Sequence, residues 1–192
     1  MKEEITLSSR RVYEGRIVHL RVDTVRLEDG HVTQREIVEH PGAVAIVALD
    51  DGGNVLLVRQ FRQAAGEVLW EIPAGTRETG EDAETCARRE LREETGHRAS
   101  HMERLLRFYT SPGFCTEQID LYLATGLSPA SRDPEADEAI EVEAVPLTEA
   151  LEMIRRGEIR DAKTIVGLLA LEAGLGRSAS PRGKEVEKSL PY

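Results

Sequence analysis

Cysteine is scarce in this sequence: Cys86 and Cys115 are the only two among 192 residues. That excludes a disulfide scaffold and a cysteine-built zinc cluster. Aromatic residues make up only 4%, so few rings are available for any stacking surface. No apolar run approaches the ~18 residues of a membrane span. The stretch Met1–Arg11 lacks the apolar core of a secretory signal. Basic charge is in deficit, with 25 Lys and Arg against 35 Asp and Glu, a net charge of −10. That argues against a bulk nucleic-acid binder, which carries a basic face. There is no internal repeat and no heptad pattern. The expectation is a soluble, acidic, cytoplasmic protein, 40% hydrophobic and long enough to bury a real core.

What is present reads as alternating strands and helices. Val12–Leu27 is rich in β-branched residues, Glu28–His31 is a turn, and Val32–Val38 resumes the strand character. This predicts an N-terminal antiparallel hairpin or meander. Pro41-Gly42 ends it. Ala43–Leu49 is wholly apolar, hence a buried strand, and Asp50–Asn54 turns it back into Val55–Val58. Val68–Ile72 is a further strand. Residues 81–95 contain no Gly or Pro and predict a helix, with Thr79 and Asp82 as a capping box and Gly96 as the stop. Leu105–Tyr109 and Ile119–Ala124 read as strands split by Ser111-Pro112-Gly113. Ile140–Val145 is a strand, Thr148–Arg156 a helix capped by Thr148, and Asp161–Ala173 a last helix. The order predicts an α/β or α+β sandwich. The organisation expected is an N-terminal strand region (1–42), a core (43–175) and a Gly/Ser/Pro/Lys-rich disordered tail (176–192).

The chemistry lies in Gly75–Gly96, GTRETGEDAETCARRELREETG, with six glutamates and one aspartate. A charge run is ordinarily a solvated face. Here the helical geometry says otherwise. At about 100° per residue, Glu90 and Glu94 fall within ~20° of Ala83, and Glu93 lies ~80° away. Cys86, Ala87 and Leu91 share that face, whereas Arg88, Arg92 and Thr85 lie opposite. Inward carboxylates three and four residues apart repel one another. Arg89, the nearest basic side chain, is expected to pair with one of them. A hard divalent cation suits the rest, because every ligand on offer is an oxygen.

Gly75, Glu81 and Arg89-Glu90-Leu91-x-Glu93-Glu94-x-Gly96 resemble the Nudix box, GX5EX7REUXEEXGU. Every specified position matches except the last, where His97 replaces an aliphatic residue. The resemblance implies a mixed β-sheet sandwiched between helices. It also implies hydrolysis of a nucleoside diphosphate linked to another group, by water attack on phosphorus. Glu90, Glu93 and Glu94 are then the metal ligands for Mg²⁺, with Mn²⁺ as a substitute, and the backbone carbonyl of Ala74 joins them. Glu81 supports the loop or the metal shell. Arg89 orients the glutamates, and Arg89, Glu93 and a loop acid form the catalytic set. Cys86 reads as buried packing.

Other stretches are similar to the ADP-ribose pyrophosphatase subgroup: Pro112, Glu71–Gly75, Arg59–Arg62, Arg35–His40, Gly157–Ile159 and Asp161–Thr164. By that likeness Arg35 and Arg62 contact substrate, since arginine presents a fork to diphosphate oxygens. The base is an acid in the loop 133–138, Glu138 first and Glu135 second. Adenine would stack on one of Tyr13, Phe61, Trp70 or Phe114. The implied reaction converts ADP-ribose to AMP and ribose 5-phosphate. The alternatives are another nucleoside diphosphate sugar, such as GDP-mannose, or a module that senses ADP-ribose without cutting it. The last is disfavoured because the box glutamates are all present. No nucleic-acid or membrane partner is implied. The likeness further implies a homodimer through the N-terminal strands, with Arg35 serving the neighbouring subunit.

Overall fold

The computed structural model describes residues 3–132 and 139–175. Three strands come first, β1 (Ile5–Glu14), β2 (His19–Arg26) and β3 (Val32–Glu39), forming an antiparallel meander. β4 (Ala43–Ala48), β5 (Asn54–Arg62), β6 (Glu67–Glu71) and β7 (Ala74–Thr76) follow. Helix α1 (Ala83–Thr95) leads into the long strands β8 (His97–Tyr109) and β9 (Gln118–Pro129). β10 (Glu141–Pro146), α2 (Leu147–Arg155) and α3 (Ala162–Glu172) complete the fold.

A mixed four-stranded sheet, ordered β7-β4-β9-β8, is the centre. β4 and β9 run parallel in it, and the other pairs are antiparallel. Every residue of β4 is buried. Successive side chains of a strand point to opposite faces, so β4 feeds two cores. Val44, Ile46 and Ala48 pack with Cys86, Ala87 and Leu91 of α1. Ala45 and Val47 pack with Leu121 and with Leu168 and Leu171 of α3. That is why Ala43–Leu49 lacks the alternation of a one-sided strand. A second antiparallel sheet, β10-β5-β6, adjoins this second core through Val55, Leu57 and Val145. The expected sandwich of a mixed sheet between helices is therefore the fold found. No helix among the described residues is long and apolar enough to cross a membrane.

Several local expectations are corrected. The first strand begins at Ile5, and a turn at Gly15–Val18 interrupts the run Val12–Leu27. All ten residues of β1 are exposed, so it carries no apolar periodicity to read. β8 starts at His97 instead of Leu105, because its first half is an edge strand of mainly polar residues. The N-cap of α1 is Asp82, which accepts from the N–H groups of Glu84 and Thr85, both at 3.1 Å. Thr79 does not cap it. α2 starts one residue before Thr148, at Leu147, with Pro146 as N-cap and no side-chain cap bond. Gly96 ends α1 as expected, at φ 70°, with its N–H donated to the Arg92 carbonyl. Asp161 caps α3 through the Thr164 N–H at 2.9 Å.

The meander is tied to the core through β3. Val38 N–H donates to the Phe114 carbonyl at 2.8 Å, and Thr116 N–H donates to the Val38 carbonyl at 2.9 Å. These bonds fasten the N-terminal sheet to the segment Phe114–Thr116, which follows the Ser111 turn.

Candidate active site

α1 presents its acids as the helical geometry requires. Cys86, Ala87, Leu91 and Glu94 are buried, while Arg88 and Thr85 are exposed. Burying Leu91 alone contributes about 1.5–3 kcal/mol, and that anchoring sets the rotation that turns the carboxylates inward. Glu94, 3% exposed, accepts from the Ala74 N–H at 3.1 Å. The Ala74 backbone thus lies against the acidic set; the contact seen is through its N–H. Gly75 has a steric reason to be glycine. An added Cβ would stand 2.0 Å from Glu90 Cδ and Oε1, so the Glu90 carboxylate fills the space a side chain would need.

Arg89 does more than pair with one glutamate. Its Nε and Nη2 reach Glu81 at 3.0 and 3.1 Å, and its Nη1 reaches Glu93 at 2.9 Å and Glu90 at 2.8 Å. Five donors in a planar fork make this possible. Arg92 Nη2 adds a contact to Glu93 Oε1 at 3.1 Å. Hydrogen bonding from Arg89 outweighs burial and holds the Glu81 carboxyl below its ordinary range. Burial, together with Glu81 beside it, pushes the Cys86 thiol up to about 12, so Cys86 is an inert packing residue at neutral pH. His97 opens β8, and its Nδ1 lies 2.9 Å from the Thr95 carbonyl.

Among the described residues, no three acids converge as a ready-made ion cage. The reason is that Glu81, Glu90 and Glu93 are gathered on the Arg89 guanidinium. The donor set nevertheless fits a hard divalent cation. It is oxygen only, Gly75 leaves room for Glu90, and Glu94 is fixed by backbone. Holding a cation requires Glu90 and Glu93 to turn part of their oxygens away from Arg89.

Glu90 and Glu93 line a cleft of about 920 Å³. Ala74, Gly75, Arg89, Glu90 and Glu93 form one wall; Arg62, Asp161 and Lys163 belong to the same cleft, as do Phe61, Glu117 and, from the meander, Arg16 and Ile17. Arg62, at the end of β5, clasps Glu71 through Nε and Nη2 at 2.8 and 2.7 Å. Lys163 of α3 reaches the same carboxylate at 2.5 Å. Glu71 is 1% exposed. Burial opposes its ionisation, but the bonds and charges of Arg62 and Lys163 win and hold its pKa below the usual carboxylate value. The Ile72 N–H donates to Thr164 Oγ1 at 2.8 Å, which docks the start of α3 beside this triad.

The sequence-predicted residues therefore divide. Ala74, Arg89, Glu90, Glu93 and Glu94 come together, and Arg62 joins them across the cleft. Arg35 is not among the cleft-lining residues; it sits on β3 and pairs with Glu4 at 2.6 Å. Glu138 and Glu135 lie outside the described residues, as does the 176–192 tail. Of the four candidate rings, Phe61 lines the cleft and is exposed, whereas Trp70 is covered by Arg59 at 5.0 Å. Glu71, Asp161 and Lys163 received no role from the sequence, although their stretches bore the subgroup likeness. Nothing in their spacing reveals that residues about 90 apart share one ion cluster.

An oxygen-only carboxylate set beside a cleft lined by arginine and lysine suits cation-assisted chemistry on phosphates. The comparisons with known proteins agree, and the chain belongs to the NUDIX domain family, whose model matches residues 39–166. A second model, the nucleoside diphosphate sugar hydrolase N-terminal domain, matches residues 4–38. The chain is 41% identical to an ADP-ribose pyrophosphatase of Bacillus subtilis (strain 168), over 88% of this chain and 93% of that protein. It is 45% identical to an ADP-ribose pyrophosphatase of Mycobacterium tuberculosis (strain ATCC 25618 / H37Rv), over 95% of this chain and 89% of that protein. A solved structure described as an ADP compounds hydrolase shares the fold. It has a TM-score of 0.81 and 20% identity, and the match covers 91% of this chain and 95% of that one.

Two expected outcomes follow from this geometry. Gly75→Ala displaces Glu90 and weakens Mn²⁺ binding at least tenfold, equivalent to about 1.4 kcal/mol, with an unchanged far-ultraviolet circular dichroism spectrum. Titration calorimetry reads the first and the spectrum the second. Glu71 stabilises the fold fully above its ordinary value of 4.5, and that stability is lost as pH falls through its depressed folded value. Glu71→Gln should therefore lower Tm at neutral pH, with a loss of about 1.5–3 kcal/mol of stability for the charge-assisted bonds given up by Arg62 and Lys163. The gap from the native protein should narrow as pH is taken into the acid range.

Proposed function

We propose that this enzyme hydrolyses the diphosphate of ADP-ribose to AMP and ribose 5-phosphate, with Mg²⁺ as the divalent cation. The observation that carries the reading is that Glu90 and Glu93 of α1 line the same cleft as Arg62 and Lys163, with Glu94 buried one residue on and held by the Ala74 N–H. Support for the substrate comes from the two pyrophosphatase relatives and from the matched N-terminal domain.

A bound divalent cation would neutralise charge on the diphosphate and lower the pKa of a nearby water. Glu90, Glu93 and Glu94, with the Ala74 backbone, would hold it. Arg89 offsets the mutual repulsion of Glu90 and Glu93 and orients them, so it acts as a positioning residue. Arg62 bonds Glu71 through Nε and Nη2, and its Nη1, outside that pair among the described residues, would meet a phosphate oxygen. Phe61 offers the exposed ring for the base. Glu138, by its place before the strand Glu141–Pro146, takes the proton from the attacking water. The water oxygen forms a bond to one phosphorus, and the bridging oxygen leaves with the other phosphate.

The homodimer belongs to the same proposal. Every residue of β1 is exposed, and Ile5, Leu7, Val12, Tyr13 and Val32 lie open on the meander. Apolar surface gathered on one small sheet marks an interaction face, and a second copy would cover it. Arg35, remote from its own cleft lining, would then serve the neighbour.

Incubation with Mg²⁺ and an equimolar mixture of ADP-ribose, GDP-mannose, UDP-glucose and NADH, followed by mass, should show ADP-ribose vanishing first. Glu94→Gln should remove turnover while keeping the circular dichroism spectrum. Faster loss of another compound would overturn the substrate, and undiminished turnover in Glu94→Gln would overturn the cation site. Equilibrium sedimentation should give about twice the 21.3 kDa chain mass; a monomer would remove the dimer and the role of Arg35 with it.

A further inference from the structure

A second concavity lies on α1 beside the cleft and shares Arg89 with it. It encloses about 430 Å³ between the helix and the start of β8 and is lined by Arg88, Arg89, Arg92, Arg98 and Ala99. Four arginines line it and no carboxylate is among the lining residues, in a protein of net charge −10; the Arg89 guanidinium itself is held by Glu81, Glu90 and Glu93.

The available counter-charges are only partly committed. Arg88 pairs with Glu84 at 2.8 Å and donates to the Ala99 carbonyl at 3.0 Å. Arg89 and Arg92 both lean on Glu93. Arg92 Nε is buried and has no hydrogen-bond partner among the described residues. The Arg98 side chain is exposed and, among the described residues, forms no ion pair or hydrogen bond. Glu84 and Glu93 offset Arg88, Arg89 and Arg92 in part, and Arg98 adds a positive charge with no partner among the described residues, so the hollow attracts a further anion.

We propose that this hollow is a binding site for a phosphate group, carried by free inorganic phosphate or by a phosphomonoester. Guanidinium forks match tetrahedral phosphate oxygens and bind them with charge-assisted bonds. Small-ligand pockets run from about 300 to 1,000 Å³, so the hollow admits a phosphate bearing a sugar as well as the bare anion. The hollow and the cleft share α1 and Arg89. An anion in the hollow competes with Glu93 for Arg89 and Arg92, so occupancy there bears on the carboxylates from behind. This assignment stands on the arginine geometry and does not require ADP-ribose to be the substrate.

The test uses the full chain, free of divalent cation, with its arginine Nε–Hε signals followed by ¹H–¹⁵N spectroscopy. Inorganic phosphate and ribose 5-phosphate are titrated separately at constant ionic strength, with chloride as the reference salt. Saturable shifts of the Arg88, Arg92 and Arg98 signals are expected. Arg98→Glu should weaken that saturation about tenfold or more, the loss expected for one charge-assisted bond, while any shift at Arg62 keeps its native midpoint. Arg88→Gln should weaken it as well and guards against a folding defect in the first variant. Tighter saturation by ribose 5-phosphate identifies the phosphomonoester, and equal or tighter saturation by phosphate identifies the free anion. Shifts that chloride reproduces, shifts confined to Arg62, or shifts unaltered in both variants would overturn the site.

Discussion

The structure depends on how several carboxylates are kept close together without driving the helix that carries them out of the core. Glu90, Glu93 and Glu94 share the buried side of α1, and Glu81 lies just ahead of it. Left alone they would repel and favour exposure. Arg89 resolves this by spreading its donors over Glu81, Glu90 and Glu93. The fourth acid, Glu94, is held by the Ala74 N–H. The helix can then keep Cys86, Ala87 and Leu91 against β4, and the apolar packing in turn fixes where the acids point.

The same logic recurs across the cleft. Glu71 is buried at the end of β6 and would be costly as an unpaired ion. Arg62 from β5 and Lys163 from α3 neutralise it. This cluster fastens the last helix to the second sheet. It also leaves cationic groups facing the acids of α1. Site and scaffold are thus not separate parts: the ion pairs that hold the layers together are the groups that line the cleft.

Two backbone features connect these layers. β7 is three residues long, but it brings Ala74 and Gly75 beneath α1 by pairing with β4. The missing side chain at Gly75 is the space that Glu90 occupies. The bonds from β3 to the turn before Thr116 bring the meander to the cleft, where Arg16 and Ile17 contribute to its lining.

Much of this was legible in the sequence. The 3.6-residue period, with small apolar residues and acids on one face, located α1 and its inward glutamates, and the spacing from Gly75 to Gly96 identified the box. The apolar run Ala43–Leu49 announced a strand buried on both faces. Less was legible where local signals are weak. β1 and the first half of β8 have no apolar face, so their periodicity is faint. Asp82 outcompeted Thr79 as a cap because only chain geometry decides which side chain reaches the free N–H groups. Sequence by itself determined the helix, its acids and the family, because those properties are periodic and local. The tertiary structure alone decided that Arg89 serves three carboxylates, that Glu71 joins Arg62 to Lys163 about 90 residues away, and that Phe61 faces the cleft while Trp70 does not. Those are distances between elements, set by packing, and no local spacing along the chain encodes them.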